Sequence, residues 1–169
     1  MCLLASCGFL GLAVSGCVAT DTIDFEPTEN FPPSIISQPE ALFPLDEIGL
    51  VNVDDPPPEQ GAEILLQTTV RDPNLENTLQ FRLFLNDADT TTDEGEIEPS
   101  GFVERDRDFA VPFAQLLANQ CNKIDIVVTT EFASTAFDTR QPLIPGDFDQ
   151  AVWWVRVTDS SAPVPPECP

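Results

Sequence analysis

The chain has 169 residues, enough for one ordinary domain with a leader or tail and short for two. Its 29 acidic side chains stand against seven basic ones, a formal charge of -22, and a field of that sign repels nucleic acid and anionic headgroups while attracting cations and basic partners. Nucleic acid is thereby excluded as a partner, and disorder is disfavoured because apolar residues make up 42% of the chain and Phe occurs twelve times.

From Cys2 to Ala19 no residue is charged, and Leu3, Leu4, Phe9, Leu10, Leu12 and Val14 make a compact apolar run that ends in the small pair Ser15-Gly16. The run is interrupted by Ser6 and by glycines and alanines, so it reads as a cleavable leader over residues 1–16. The alternatives are a membrane-spanning anchor and a secretion signal without lipid. Val14-Ser15-Gly16-Cys17 resembles the lipobox of bacterial lipoproteins, although no Lys or Arg precedes the run. The resemblance implies cleavage after Gly16, diacylglycerol and palmitate-type acylation on Cys17, and a lipid bilayer as the first partner. Two or three acyl chains hold a protein to a bilayer far more firmly than one. Because Val18 rather than Asp follows Cys17, the same resemblance implies sorting to the outer membrane of the cell envelope.

Residues 17–33 hold Asp21, Asp24, Glu26, Glu29 and three prolines, the composition of an acidic tether. A folded domain is expected over residues 34–160. Ser34–Ser37 reads as a short edge strand stopped by Pro39, Leu42, Phe43 and Leu45 as an apolar patch, and Ile48–Val53 as a further strand before Pro56-Pro57-Pro58. Period-two alternation predicts strands over Glu63–Val70, with Ile64, Leu66, Thr68 and Val70 on one face, and over Leu79–Leu85, with Leu79, Phe81, Leu83 and Leu85 on one face. Asp72-Pro73-Asn74 between them is a turn. Residues 86–101 read as a polar loop with at most a short edge strand at Gly95–Glu98, and the sheet resumes at Phe109–Val111. Pro112 starts a helical turn in which Phe113, Leu116 and Leu117 share a face. Ile124, Ile126, Val128, Thr130 and Phe132 form the cleanest alternation, and their opposite face, Lys123, Asp125, Val127, Thr129 and Glu131, is expected to be mostly solvated. After a loop over 133–148, Val152–Thr158 is the last strand, with Trp153, Val155 and Val157 on one side and Val152, Trp154 and Arg156 on the other. Residues 161–169, with four prolines, form a tail.

About seven strands, long polar connections and one short helical turn define an all-β sandwich rather than an α/β fold. The pieces Pro33-Ser34-Ile35-Ile36, Val70-Arg71-Asp72-Pro73, Leu79-Gln80-Phe81-Arg82 and Trp154-Val155-Arg156-Val157-Thr158-Asp159 resemble the immunoglobulin-like modules of bacterial surface proteins. No cysteine lies in the second strong strand, so the inter-sheet disulfide of antibody domains is absent.

Histidine and tyrosine are missing altogether, which removes the usual general base, the commonest nitrogen ligand of zinc and every His-dependent triad. No Gly-rich loop cradles a phosphate. A non-catalytic binding or structural module is therefore expected, with a calcium-stabilised adhesion-like module or an accessory domain binding polysaccharide or an envelope protein as alternatives. Calcium takes several oxygens, and Asp87 with Asp89 is the first candidate pair, since Asn86 and Asp93 add oxygens from the same loop. The pairs Asp106/Asp108 and Asp147/Asp149 share that spacing, and a dispersed acidic surface is the plain alternative. Trp153 and Trp154 alternate across a strand, so one is a core residue and the other a candidate ligand contact. With Cys2 and Cys7 removed and Cys17 acylated, Cys121 and Cys168 remain to form one disulfide in an oxidising compartment, or to stay as two thiols.

Overall fold

The computed structural model describes residues 30–52, 54, 62–134, 140–159 and 168. The expected leader, the Cys17 segment, most of the expected tether and most of the Pro-rich tail lie outside the described residues. Among the described residues eight strands are present: β1 (Ser34–Ser37), β2 (Gly49–Asn52), β3 (Glu63–Arg71), β4 (Leu79–Leu85), β5 (Asp93–Ile97), β6 (Glu104–Pro112), β7 (Gln120–Thr129) and β8 (Phe148–Thr158), with one 3-10 turn at Phe113–Gln115. They form a three-stranded sheet ordered β1-β3-β6 and a five-stranded sheet ordered β2-β8-β7-β4-β5. All pairings are antiparallel except β2 with β8.

This order is that of an immunoglobulin-like sandwich. β1, β3 and β6 take one sheet, β4, β5, β7 and β8 the other, and β2 crosses to the second sheet before the chain returns. The alternation expected for β3 and β4 holds, because Ile64, Leu66, Thr68 and Val70 from one sheet meet Leu79, Phe81, Leu83 and Leu85 from the other, all buried. Ile124, Ile126, Val128, Trp153, Val155 and Val157 complete the interior, and Phe81 meets Phe109 edge to face at 4.9 Å between ring centroids. Trp153 can be buried whole because its indole N–H donates to the Phe43 carbonyl at 3.0 Å. Phe43 in turn requires Gly49, where a Cβ would overlap its ring.

Several expectations need correction. Thr130 and Phe132 do not continue β7, which ends at Thr129; the chain turns there, and Phe132 bridges to Pro142 and packs on the opposite side, against Phe84 and Val127. The face of β7 expected in solvent is therefore covered, with Asp125, Val127 and Thr129 buried. Period two is blind to this, because it reports which residues share a face and not what lies over it. β6 begins at Glu104, five residues before the apolar Phe109, and β8 begins at Phe148 rather than Val152. β5 spans Asp93–Ile97, ahead of the expected Gly95–Glu98. Just after the 3-10 turn Leu116 is buried but Leu117 is exposed, so the two do not share a face.

Candidate functional site

The seven cations of this acidic chain all lie on the described domain, and their use organises its surface. Five hold carboxylates: Arg71 with Glu104, Arg82 with Glu94, Arg105 with Asp72, Lys123 with Asp87 and Arg140 with Asp125. Two of these cations build the cover of the five-stranded sheet. Arg82 lies 4.1 Å over the Phe132 ring and donates to the Ser134 carbonyl, and Arg140 lies 3.7 Å over Phe84 and donates to the Ala88 carbonyl at 2.7 Å. Asp125 beneath them accepts from Arg140 and from Gln150, so its buried charge is paired and hydrogen-bonded. The β7–β8 connection is pinned by a short ladder, Ala133 N–H to the Gln141 carbonyl and Leu143 N–H to the Glu131 carbonyl, and by Thr129 and Thr130, whose hydroxyls both donate to Asp147.

At the other end of β7, Cys121 and Cys168 are joined by a disulfide with Cα atoms 5.4 Å apart. Cys121 points to the outer face, paired in register with Arg156, so the bridge ties the chain after β8 to the sheet surface and does not cross the core. Nearby, Asn122 is completely buried and serves as a polar junction: it accepts from Leu117 N–H and Asn86 Nδ2 and donates to the Leu117 carbonyl.

The candidate residues are dispersed. Asp87 is exposed, has a positive φ of 59° in the β4–β5 turn, and is engaged by Lys123 Nζ at 2.5 Å; Asp89 is exposed in the same turn. Asp149 accepts the Ile35 N–H, and Asp72 is buried with Arg105. Among the described residues no group of three or more His, Cys, Asp or Glu side chains is placed to hold a metal ion. Trp153 is core, whereas Trp154 is half-buried on the outer face, beside Lys123 in register. Gly16 and Cys17 lie outside the described residues.

A surface the sequence did not single out is the cleft of about 410 Å³ between β5 and β6. Its lining includes Glu96, Glu98, Phe102, Arg105 and Arg107. The signal for it was the run Glu104-Arg105-Asp106-Arg107-Asp108, in which acids and arginines alternate at period two. The acids face water and the arginines face between the sheets. Arg105 is accepted there by Asp72 and by the Asn74, Asn77 and Ile97 carbonyls, and Arg107 lies over the rings of Phe81 and Phe109.

Because six of the seven cations are engaged in these contacts, most of the remaining carboxylates repel one another across the surface. Raising ionic strength from about 10 mM to 1 M shortens the screening length from about 30 Å to about 3 Å. The melting temperature is therefore expected to rise by several degrees with sodium chloride over that range. Calorimetry with buffer and pH fixed checks this, and a melting temperature flat or falling with salt would contradict it.

The fold and these surfaces define the class as an immunoglobulin-like β-sandwich module. No protein-family model matches the chain, and no curated protein does. Among solved structures it is similar to the CARDB domain of a Pyrococcus furiosus protein, whose crystal structure is in complex with di-metal ions, with 12% identity, TM-score 0.48, and coverage of 80% of this chain and 100% of that one. The solution structure of the same CARDB domain has 14% identity, TM-score 0.43, and coverage of 76% and 97%.

Proposed function

We propose that the chain is a cell-envelope lipoprotein, anchored to a bilayer through acylated Cys17, whose sandwich acts as a non-catalytic binding or structural module facing an envelope protein or polysaccharide. The observation that carries the reading is the Cys121–Cys168 disulfide, since structural disulfides persist in oxidising compartments outside the cytosol. It agrees with the leader and Val14-Ser15-Gly16-Cys17, which assign Cys17 to lipid. The outer membrane is the expected destination, with Val18 following the lipidated cysteine. The lack of histidine supports a non-catalytic role. Labelled palmitate fed to expressing cells tests the anchor: label should enter the wild-type chain and not Cys17→Ser, and the variant should move from the membrane to the soluble fraction. Equal labelling of both would defeat the proposal.

A further inference from the structure

The two long sides of the sandwich are finished differently. On one side the β1–β2 connection lays Phe43 beside Trp153, and Asp149 reaches from the five-stranded sheet to accept the Ile35 N–H of β1 at 2.7 Å. On the other side β5 and β6 are both free sheet edges with the cleft between them. Phe102, in the connection between those strands, is 72% exposed, far more than an aromatic ring gains from solvent. Glu96 and Glu98 rim the cleft as exposed carboxylates that hold no cation among the described residues. In the wall, Arg105 is only 4% exposed, yet its Nε–H has no acceptor. Arg107 also has a buried Nε–H without an acceptor, and its guanidinium holds no carboxylate, in a chain where five of the seven cations do.

We propose that this open side docks a basic, extended polypeptide segment, lying along the free edge of β6 with an apolar side chain against Phe102 and its cationic side chains on Glu96 and Glu98. Two features select that occupant. The free carboxylates set the sign of the partner, because like charge at close range is strongly rejected. A free edge strand offers unpaired backbone groups that an extended chain satisfies by strand addition. The apolar contact at Phe102 and the charge contacts at the rim then alternate along the segment, as side chains on a strand do.

The proposal rests on reading the domain as a binding module, but its test is independent of the lipid on Cys17, so the two fail separately. The full chain is titrated, by fluorescence anisotropy, with a labelled peptide of alternating lysine and valine, its counterpart of glutamate and valine, and a labelled neutral glucan oligosaccharide. The lysine peptide is expected to bind and the other two not. Phe102→Ala should weaken binding about tenfold or more, from the loss of a buried ring. Glu96→Gln with Glu98→Gln should weaken it about fivefold and flatten its salt dependence. Leu50→Ala, and Glu40→Gln with Glu47→Gln, are controls at exposed positions away from the cleft and should leave affinity unchanged. Equal weakening by the Glu40 and Glu47 pair would reduce the effect to bulk charge and overturn the proposal. So would unchanged affinity in Phe102→Ala, absence of lysine-peptide binding, or binding of the glucan in its place.

Discussion

Replacing Arg105 with methionine is expected to destabilise the domain by about 3–5 kcal/mol, the range found when one partner of a buried ion pair is removed. Arg105 Nη2 lies 3.3 Å from Asp72 Oδ2, and the two side chains are 3% and 0% exposed. The pair does more than cancel charge. Arg105 also donates to the carbonyls of Asn74 and Asn77 in the β3–β4 turn and of Ile97 at the end of β5, so one side chain on β6 holds three segments together. Asp72 in turn accepts from Asn74 N–H at 2.8 Å and fixes the turn. Methionine fills much of the volume but leaves the Asp72 carboxylate buried without its cation and three carbonyls without their donor. Urea denaturation reads the effect as a lowered midpoint at unchanged slope. Arg71→Met provides the contrast: its pair with Glu104 is half exposed on both sides, and exposed pairs contribute at most about 1 kcal/mol. Equal losses in the two variants would contradict the assignment of Arg105 as the central tie.

Cys121→Ala with Cys168→Ala is expected to cost about 2–4 kcal/mol, the second largest effect. The bridge spans 47 positions of sequence, and closing a loop of that length removes about 4 kcal/mol of unfolded-state entropy in the chain-entropy model. The melting temperature should fall in the double variant and, by the same amount, in the wild type under reductant. The disulfide and the Arg105 tie lie at opposite ends of the sheets, the first beside the Gln120–Val157 pair and the second beside the Leu79–Ile97 pair. Combining the substitutions should therefore give nearly additive losses. A melting temperature that reductant leaves unchanged would mean that the bridge does not contribute to stability.

The interior was legible because burial on one face leaves a simple trace. Ile64, Leu66 and Val70 in β3 and Ile124, Ile126 and Val128 in β7 face the core at the spacing that a pleated strand dictates. The outer cover was not legible, for a physical reason. Phe84 and Val127 sit at positions that alternation assigns to solvent, and only the return of Phe132, Arg82 and Arg140 over them makes those positions dry. The start of β6 was hidden in the same way, since its inward positions are arginines and hydropathy gives them no weight. Of the candidate residues, Trp153 and Trp154 divide between core and surface, whereas Asp87 is occupied by Lys123 instead of converging with other carboxylates. Phe102 carried no local pattern and the alternating acids and arginines around Arg107 were not read as one, because what distinguishes both residues is the meeting of two sheet edges far apart in sequence.

Lipid on Cys17 is the central claim, and the intact mass of the protein taken from the membrane fraction tests it most directly. The predicted mass is that of a chain beginning at Cys17, increased by a diacylglyceryl group with or without a further acyl chain, and decreased by two hydrogens for the disulfide between Cys121 and Cys168. A chain that keeps residues 1–16, or one that begins at Cys17 without added lipid, would contradict it.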